Sequence, residues 1–325
     1  MALRIVTALV VLAAAAALRF TRLEQRPMHA DEAVQAFKLG QVLETGRYVY
    51  DPHEYHGPAL AAASLPVARA AGTEELAQLT ESLLRAVPAA FGLLLVALTL
   101  LAARAIGWHA AVWAAAFTAL SPTCVYYSRY YIAEPLLVCF TFAAILSLWR
   151  LLQFDSGDRR PAGGTLRSLL AAGALGSSFG LMHATKETWP LPATALVLAA
   201  VVSTRCGPRR LLSCIGSKSL AVLVAAAVIV SVTLYSWFFT NPAGPLDSLK
   251  AYWFYLQRGA AAGPAAAPHG HPWYYYFQTM LFWPAGGGLN SLEWPLIAPV
   301  LFGLCAAGAS LLRSGDALNS KAPPG

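Results

Sequence analysis

Two adjacent acids, Asp31 and Glu32, follow the first apolar segment of a chain in which carboxylates are scarce. The chain is 57% hydrophobic and 12% charged, yet nine of its 16 acidic residues lie between Glu24 and Glu81. Acids gathered beside a membrane segment indicate cation binding or proton transfer, whereas a solvated loop would give them no special role. We predict that Asp31 either binds a cation or acts as a catalytic base, with the solvated loop as the alternative.

A second motif, Tyr50–Pro58, is rich in polar and aromatic residues and is punctuated by proline and glycine. It contains Glu54 and His56, and a carboxylate together with an imidazole can bind a divalent cation. We therefore predict a metal site at Glu54 and His56, with Mg²⁺, Mn²⁺ or Zn²⁺ as the candidate cofactor.

Two further motifs add basic, acidic and aromatic side chains that suit a phosphorylated substrate. Their members are Arg129, Tyr130 and Glu134, within Ser128–Glu134, and Lys186, within Ala184–Thr188. Arginine and lysine bind phosphate, and aromatic rings offer flat surfaces to a sugar ring or a prenyl chain. We predict that these four residues bind substrate, although Arg129 could instead reach phospholipid headgroups as an interfacial arginine.

These motifs must be positioned by membrane-spanning elements, because the mean hydropathy is +0.54 and apolar segments recur along the chain. A spanning helix needs about 20 mainly apolar residues. We predict about eight helices in an all-α bundle. They are Ile5–Leu18, Ala86–Ala103, Ala110–Ala119, Pro135–Leu152, Leu169–His183, Trp189–Val202, Leu220–Phe239 and Trp294–Leu312. The first resembles a signal peptide, but we expect an uncleaved helix.

The long first loop, from Thr21 to about Arg85, contains two amphipathic stretches, Asp31–Glu44 and Glu74–Leu84. Apolar and polar residues alternate there with helical spacing, which is typical of helices that lie along a membrane surface. A later connection, from Asn241 to about Asn290, contains the alanine-, glycine- and proline-rich stretch Gly259–Pro268, which we predict to be a flexible lid or loop.

Basic residues in the short connections Gln153–Arg167 and Ser203–Ser219 predict that both are cytoplasmic. Asp31 and the other motifs then face outward from the plasma (inner) membrane. The net charge of +7 follows from this topology, and no basic stripe indicates a nucleic-acid partner.

The four motifs, taken in order, resemble those of polytopic GT-C glycosyltransferases, which use polyprenyl-phosphate-linked sugars. The resemblance covers about residues 1–312 and is strongest to protein O-mannosyltransferases, to lipid A aminoarabinose transferases, and to a prokaryotic family named for association with the flipping of lipid-linked glycans. The segments that carry it are Arg26–Ala33, Tyr50–Pro58, Ser128–Glu134 and Ala184–Thr188.

The resemblance implies that Asp31 is the first-loop aspartate of the catalytic centre and that Glu32 is its usual partner. Glu54 and His56 match a position that helps to bind a metal in some relatives. Arg129 and Glu134 match a basic–acidic pair, and Lys186 would lie over the carrier phosphate. The relatives often have 11 or more helices, so we expect a short form, a truncated product or a fragment.

The expected function is therefore transfer of a sugar from a polyprenyl-phosphate donor to a protein, lipid or glycan hydroxyl, at the outer face of the bilayer. Two alternatives remain open from the sequence: a component associated with a flippase or transporter, and a non-catalytic subunit of a glycan-assembly pathway. We predict a transmembrane module over residues 1–312 and a disordered cytoplasmic tail over residues 313–325.

Overall fold

The computed structural model describes residues 1–53, 56–153, 165–203, 211–212 and 215–261, together with residues 272, 274 and 303. The chain divides into two compact units. Met1–Leu120 and Cys124–Gly263 form the first, which contains every helix discussed below apart from the start of α7. Ser121–Thr123 and Pro264–Gly325 form the second.

The described part of the chain is helical and contains no strand, as the sequence predicts. The α-helices are α1 Ala2–Phe20, α2 Ala30–Thr45, α3 Ala59–Ala70, α4 Glu81–Leu101, α5 Ala103–Ile106, α6 Trp108–Leu120, α7 Pro122–Ser128, α8 Glu134–Gln153, α9 Leu166–His183, α10 Pro190–Ser203, α11 Ser217–Tyr235 and α12 Gly244–Ala261. A single 3₁₀ turn, Leu76–Gln78, precedes α4.

Within the described ranges, four helical segments are long and apolar enough to cross a membrane: Ala2–Phe20, Glu81–Ile106, Glu134–Gln153 and Ser217–Tyr235. The shorter α6 and α10 are also apolar. With α9, which matches the predicted span Leu169–His183, each of the first seven predicted spans has a corresponding helix. The eighth, Trp294–Leu312, lies outside the described residues, as does the predicted tail.

The bundle is held together by neighbouring helices that pack side by side. The helix α4 packs against α1, α6 and α8, and α8 in turn packs against α9. The most extensive contact is between α9 and α11. Because α9 and α11 run parallel, their carboxyl ends meet, and Tyr235 donates a hydrogen bond to the carbonyl of His183 (3.0 Å).

We call the end of the bundle where α9 and α11 finish the site end. It also contains α2 and α3, which pack on each other, and α3 contacts α4. A buried apolar cluster supports it, with members from α2, α3, the start of α4 and the loops around them. Its larger side chains include Leu39, Tyr48, Leu84, Tyr131 and Trp237.

The structure corrects the sequence interpretation of the connections in two places. The predicted amphipathic helix Glu74–Leu84 is a 3₁₀ turn followed by the start of α4, because Thr80 caps α4 by accepting the N–H of Leu83. The loop between α2 and α4 contains α3, which the sequence analysis did not predict. The connection after Asn241 begins with α12, whose last residues are the first of the stretch Gly259–Pro268, and the rest of that stretch lies outside the described residues.

Candidate active site at one end of the bundle

The predicted catalytic base lies in the first turn of α2. His29 is the N-cap, and its Nδ1 accepts the N–H of Asp31 (3.2 Å). The N–H of His29 in turn donates to Glu32 Oε2 (3.0 Å), which completes a capping box. The side chain of Asp31 is 78% exposed. Its carboxylate is therefore held on a fixed helix start and remains open to an incoming group.

Glu32 is buried and forms a bidentate ion pair with Arg85 of α4. Arg85 donates from Nε to Glu32 Oε1 and from Nη2 to Oε2, both at 2.8 Å. Its remaining N–H groups donate to the carbonyl oxygens of Leu23 (2.6 Å), Arg26 (3.0 Å) and Pro27 (3.3 Å). All five N–H donors of Arg85 are thus bonded, and they connect α4 both to the segment before α2 and to the first turn of α2.

The environment of Glu32 keeps its carboxyl ionised. Burial opposes ionisation, but the hydrogen bonds from Arg85 and from the backbone of His29 and Tyr131 outweigh it and lower the pKa. The N–H of Tyr131 donates to Glu32 Oε1 at 2.9 Å and so joins the loop before α8 to α2. The structure thus gives Glu32 a positioning role, whereas the sequence places it beside Asp31 in catalysis.

The guanidinium of Arg129 makes its hydrogen bonds with the protein backbone. Its guanidinium donates to the carbonyl of Leu18 (2.7 Å), near the carboxyl end of α1, and to the carbonyl of Arg22 (3.1 Å). Burial lowers the pKa of Arg129, and the nearby positive charges of Arg26 and Arg85 lower it further. These contacts stabilise the end of α1, where free carbonyl groups carry partial negative charge.

Arg26 is a cation at the site end that the sequence analysis did not select. Its guanidinium carbon lies 3.8 Å from the ring centroid of Tyr130 and 4.9 Å from that of Tyr126. It donates one hydrogen bond to the carbonyl of Arg129 (3.3 Å). Tyr130, predicted to bind substrate, therefore forms a cation–π platform under Arg26.

Lys186 and Glu134 form an ion pair, whereas the resemblance pairs Glu134 with Arg129. Lys186 Nζ lies 2.5 Å from Glu134 Oε1, and both side chains are partly exposed. Glu134 begins α8, three residues after Tyr131, while Lys186 follows α9. A partly exposed ion pair contributes little stability, so both groups remain available to a ligand.

Glu187 is the second residue of the site end, after Arg26, that the sequence analysis did not single out. It is buried, and its Oε1 accepts the hydroxyl of Tyr50 (3.0 Å) while Oε2 lies 2.8 Å from His56 Nδ1 and 3.4 Å from the Tyr255 hydroxyl. Burial favours the neutral acid, but the hydrogen bond and charge interaction with His56 help to keep its pKa below the usual value. Burial raises the pKa of Tyr50, which stays a donor.

Close backbone contacts hold the segments that carry His56 and Glu187 together. Gly57 lies so close to the Ala184 carbonyl that a Cβ on it would be 2.2 Å from that oxygen, and the Ala59 N–H donates to the same oxygen at 2.9 Å. The tight turn His56–Pro58 is thereby fixed against the loop after α9. Glycine at position 57 is a sequence signal for this approach, because any side chain would separate the two segments.

The structure therefore brings the predicted residues Asp31, Glu32, Arg129, Tyr130, Glu134 and Lys186 to one end of the bundle. Glu54 lies outside the described residues. No group of three or more histidine, cysteine, aspartate or glutamate side chains able to hold a metal occurs in the part of the chain that is described. His56 Nδ1 is occupied by Glu187, which leaves Nε2 as its possible metal ligand.

Chemically, the site end combines an exposed carboxylate, Asp31, with a stacked guanidinium at Arg26 and an ammonium group at Lys186. A carboxylate accepts a proton from a hydroxyl, and cations stabilise a departing phosphate. This combination suits group transfer from a phosphorylated substrate.

Comparison with known sequences supports this interpretation. Residues 62–254, more than half of the chain, match the family described as dolichyl-phosphate-mannose-protein mannosyltransferase. The match includes Arg129, Glu134 and Lys186 but begins after Asp31 and His56. No individually curated protein matches the chain.

Among solved structures, the fold is similar to that of a chain in the S. cerevisiae protein O-mannosyltransferase Pmt1-Pmt2 complex bound to the sugar donor. The TM-score is 0.56 at 18% sequence identity, and the similarity covers 74% of this chain and 34% of that one. The present chain thus spans about a third of the length of its structural relative, and they share a GT-C mannosyltransferase-type fold. By the extent of the sequence match, this chain belongs to the dolichyl-phosphate-mannose-protein mannosyltransferase family.

Proposed function

We propose that this chain is a membrane glycosyltransferase that moves a sugar, mannose by family membership, from a polyprenyl-phosphate-linked donor to an acceptor hydroxyl on the extracytoplasmic face. One observation carries the proposal. Asp31 is an exposed carboxylate at the start of a helix that the buried pair Glu32–Arg85 fixes to the bundle. A base held by a rigid scaffold is what a transfer between two bound substrates requires.

In the proposed reaction, the acceptor hydroxyl oxygen attacks the anomeric carbon of the sugar while Asp31 takes the hydroxyl proton. The bond between that carbon and the phosphate oxygen breaks, and the lipid phosphate leaves with the electron pair. Neither an oxidant nor a second cosubstrate is needed. The acceptor can be a protein, a lipid or a glycan, because each offers a suitable hydroxyl.

The cations that would stabilise the departing phosphate are Lys186 and Arg26. Lys186 is paired with a partly exposed carboxylate, Glu134, which a phosphate can displace. Arg26 is stacked on Tyr130, and its guanidinium makes one hydrogen bond within the described residues. Arg129 stabilises the backbone next to Arg26 and Tyr130 through its hydrogen bond with the end of α1.

A divalent cation remains a prediction. His56 would be a ligand through Nε2, and Glu187 would orient the ring by accepting from Nδ1. Such a cation would supply positive charge to the carrier phosphate.

The flippase or transporter alternative is less well supported. Transporters of charged substrates commonly place ionisable residues near the bilayer midplane, in interrupted helices. Here the candidate residues lie at helix ends and in connections, as at the start of α2 and α8 and after α9. That arrangement favours chemistry at the membrane surface.

The first test is transfer activity of purified, reconstituted Asp31→Asn protein. The donor is dolichyl-phosphate mannose with a labelled sugar, and the acceptor is a peptide rich in serine and threonine. Asparagine keeps the shape of the side chain but cannot accept the proton, so transfer should fall roughly 10²–10⁴-fold.

Glu74→Gln is the matched control, because it removes an exposed acid from the same loop. It should transfer as the wild type does. Wild-type rates from Asp31→Asn, in protein of unchanged melting temperature, would contradict the assigned base. Absence of transfer from the wild type with both dolichyl- and undecaprenyl-phosphate donors would favour the non-catalytic subunit.

A further inference from the structure

A cavity of about 650 Å³ lies at the end of the bundle opposite to the site end. It is formed by the last turns of α8, the first turns of α9 and the short α5 that follows α4. Its polar lining includes Arg104, Arg150 and Arg167, with Gln153 and Ser147. It is separate from the candidate active site, since none of the residues assigned there lines it.

The cavity is strongly basic. Its three arginines come from three different helices, α5, α8 and α9, and all three are exposed. Within the described ranges, no carboxylate forms an ion pair with any of them. The connection Phe154–Gly164, which lies outside those ranges, carries two aspartates and two arginines and so adds no net charge by sequence.

The first turns of α9 add to the attraction for an anion. Thr165 caps this helix by accepting the N–H of Ser168, and Arg167 lies in its first turn. The amino end of a helix of 18 residues carries partial positive charge and free N–H groups.

The other walls are apolar. Trp149, Leu170, Ala171 and Ala174 line the cavity beside the arginines. Tryptophan is enriched where the membrane meets water, and α8 is one of the helices long and apolar enough to span the bilayer. The cavity therefore offers positive charge toward the aqueous side and apolar surface toward the hydrocarbon, which are the two halves of a phospholipid.

We propose that this cavity binds an anionic phospholipid of the membrane leaflet opposite to the candidate active site, with the lipid phosphate among Arg104, Arg150 and Arg167. Its size is suited to a headgroup of the glycerophosphate type. Basic pockets between membrane helices are a recognised arrangement for such lipids. The ligand is a bilayer lipid and not the sugar donor, whose phosphate is assigned to Arg26 and Lys186 at the site end. The inference is therefore independent of the proposed activity.

The test compares wild type with Arg150→Gln/Arg167→Gln, purified in detergent as the full chain. Each protein is incubated with mixed micelles that contain phosphatidylglycerol, with phosphatidylcholine micelles, or with inorganic phosphate alone. Bound lipid is counted by native mass spectrometry, and melting temperature is measured in parallel. Phosphatidylglycerol should bind to the wild type and raise its melting temperature, while the double variant should bind it roughly 10- to 30-fold more weakly.

Lys218→Gln is the matched control. Lys218 is an exposed cation at the amino end of α11, at the same end of the bundle, and it does not line the cavity. It should bind phosphatidylglycerol as the wild type does. Arg150→Lys/Arg167→Lys keeps both charges and should retain most of the binding.

Three results would overturn the proposal. They are equal phosphatidylglycerol binding by wild type and the glutamine double variant, equal binding of phosphatidylcholine and phosphatidylglycerol by the wild type, and an equal gain in melting temperature from inorganic phosphate alone. The last would indicate a site for a free anion rather than for a lipid.

Discussion

Asp31 and Glu32 are neighbours in sequence, yet their carboxylates have opposite environments. Successive residues of a helix project about 100° apart, so one acid in the first turn of α2 faces solvent while the next faces Arg85 in the interior. The exposed acid is available for proton transfer. The buried acid instead holds the helix that carries it.

Replacing Glu32 should therefore affect folding first. In Glu32→Gln, the buried guanidinium of Arg85 loses its countercharge, and breaking such a pair costs about 3–5 kcal/mol. We expect a lower melting temperature and a lower yield in detergent, measured by intrinsic fluorescence. Glu75→Gln removes an exposed acid and is the control; an equal melting temperature for both variants would contradict the positioning role.

The pH dependence should follow from the same ion pair. Because folding lowers the pKa of Glu32, its contribution is complete above the ordinary carboxyl pKa and is lost as pH falls through the lower folded value. The melting temperature of the wild type should therefore fall on acidification more steeply than that of Glu32→Gln.

Variants of Arg129 and Lys186 should show which of the two residues is structural and which binds substrate. Arg129 donates to two backbone carbonyls, which a lysine cannot satisfy with the same geometry, so Arg129→Lys should lower the melting temperature. Donor binding should weaken indirectly, because the carbonyl of Arg129 accepts the hydrogen bond of Arg26, which is assigned to the phosphate. Lys186→Gln breaks only a partly exposed pair, so it should leave the melting temperature nearly unchanged and weaken donor binding.

The measurement for both variants is binding of dolichyl phosphate to purified protein, with thermal stability measured on the same samples. If Lys186→Gln binds the lipid phosphate as the wild type does, the assignment of Lys186 to the carrier phosphate is wrong. A stability loss in Arg129→Lys without weaker binding would assign Arg129 to the end of α1 alone.

At the scale of elements, the pair α9–α11 depends on small residues. Gly176 and Gly180 lie four positions apart on α9, and a Cβ at either would meet a backbone carbonyl of α11, at 2.1 Å from Leu223 O and 2.6 Å from Ala227 O respectively. Small residues at this spacing let membrane helices approach closely. The approach matters for the site, because Lys186 and Glu187 follow the end of α9.

Gly176→Ala should therefore destabilise the protein by about 1–3 kcal/mol, since two helix backbones must move apart. Gly173→Ala is a close control on the same helix, because its Cβ would lie 3.6 Å from Val222, an ordinary contact. Alanine favours a helix over glycine, so this control should be neutral or slightly stabilising. The measurement is the melting temperature of both variants in detergent. An equal effect at both positions would contradict the close approach of α9 and α11 at Gly176.

At the scale of the whole molecule, the distribution of basic residues predicts the orientation. The end opposite to the site end contains Arg104, Arg150, Arg167 and Lys218, which predicts that this end faces the cytoplasm. The site end then faces outward, where a lipid-linked sugar would be used.

Single-cysteine labelling of intact cells tests this orientation. In a variant with its five native cysteines replaced, Val49→Cys at the site end should react with an impermeant maleimide from outside. Ile106→Cys, exposed at the opposite end, should react only after permeabilisation. Both positions are well exposed, so the reverse pattern would place the candidate site in the cytoplasm.

The sequence by itself determined the elements that local patterns specify. Apolar length predicted seven of the helices seen, and amphipathic spacing predicted α2 near its observed bounds. The scarcity of carboxylates made Asp31 conspicuous before any contact was known. These features depend on neighbouring residues, which is why a single sequence reveals them.

Only the tertiary structure decided which polar side chains pair. Arg85 meets Glu32 across 53 residues, and Glu187 meets His56 across 131, so no local spacing could reveal either partner. The carboxylates of both pairs are buried, where an ionised group needs a countercharge and hydrogen bonds. The packing of distant helices therefore assigned Glu32 to support, left Asp31 exposed, and added Arg26 and Glu187 to the site.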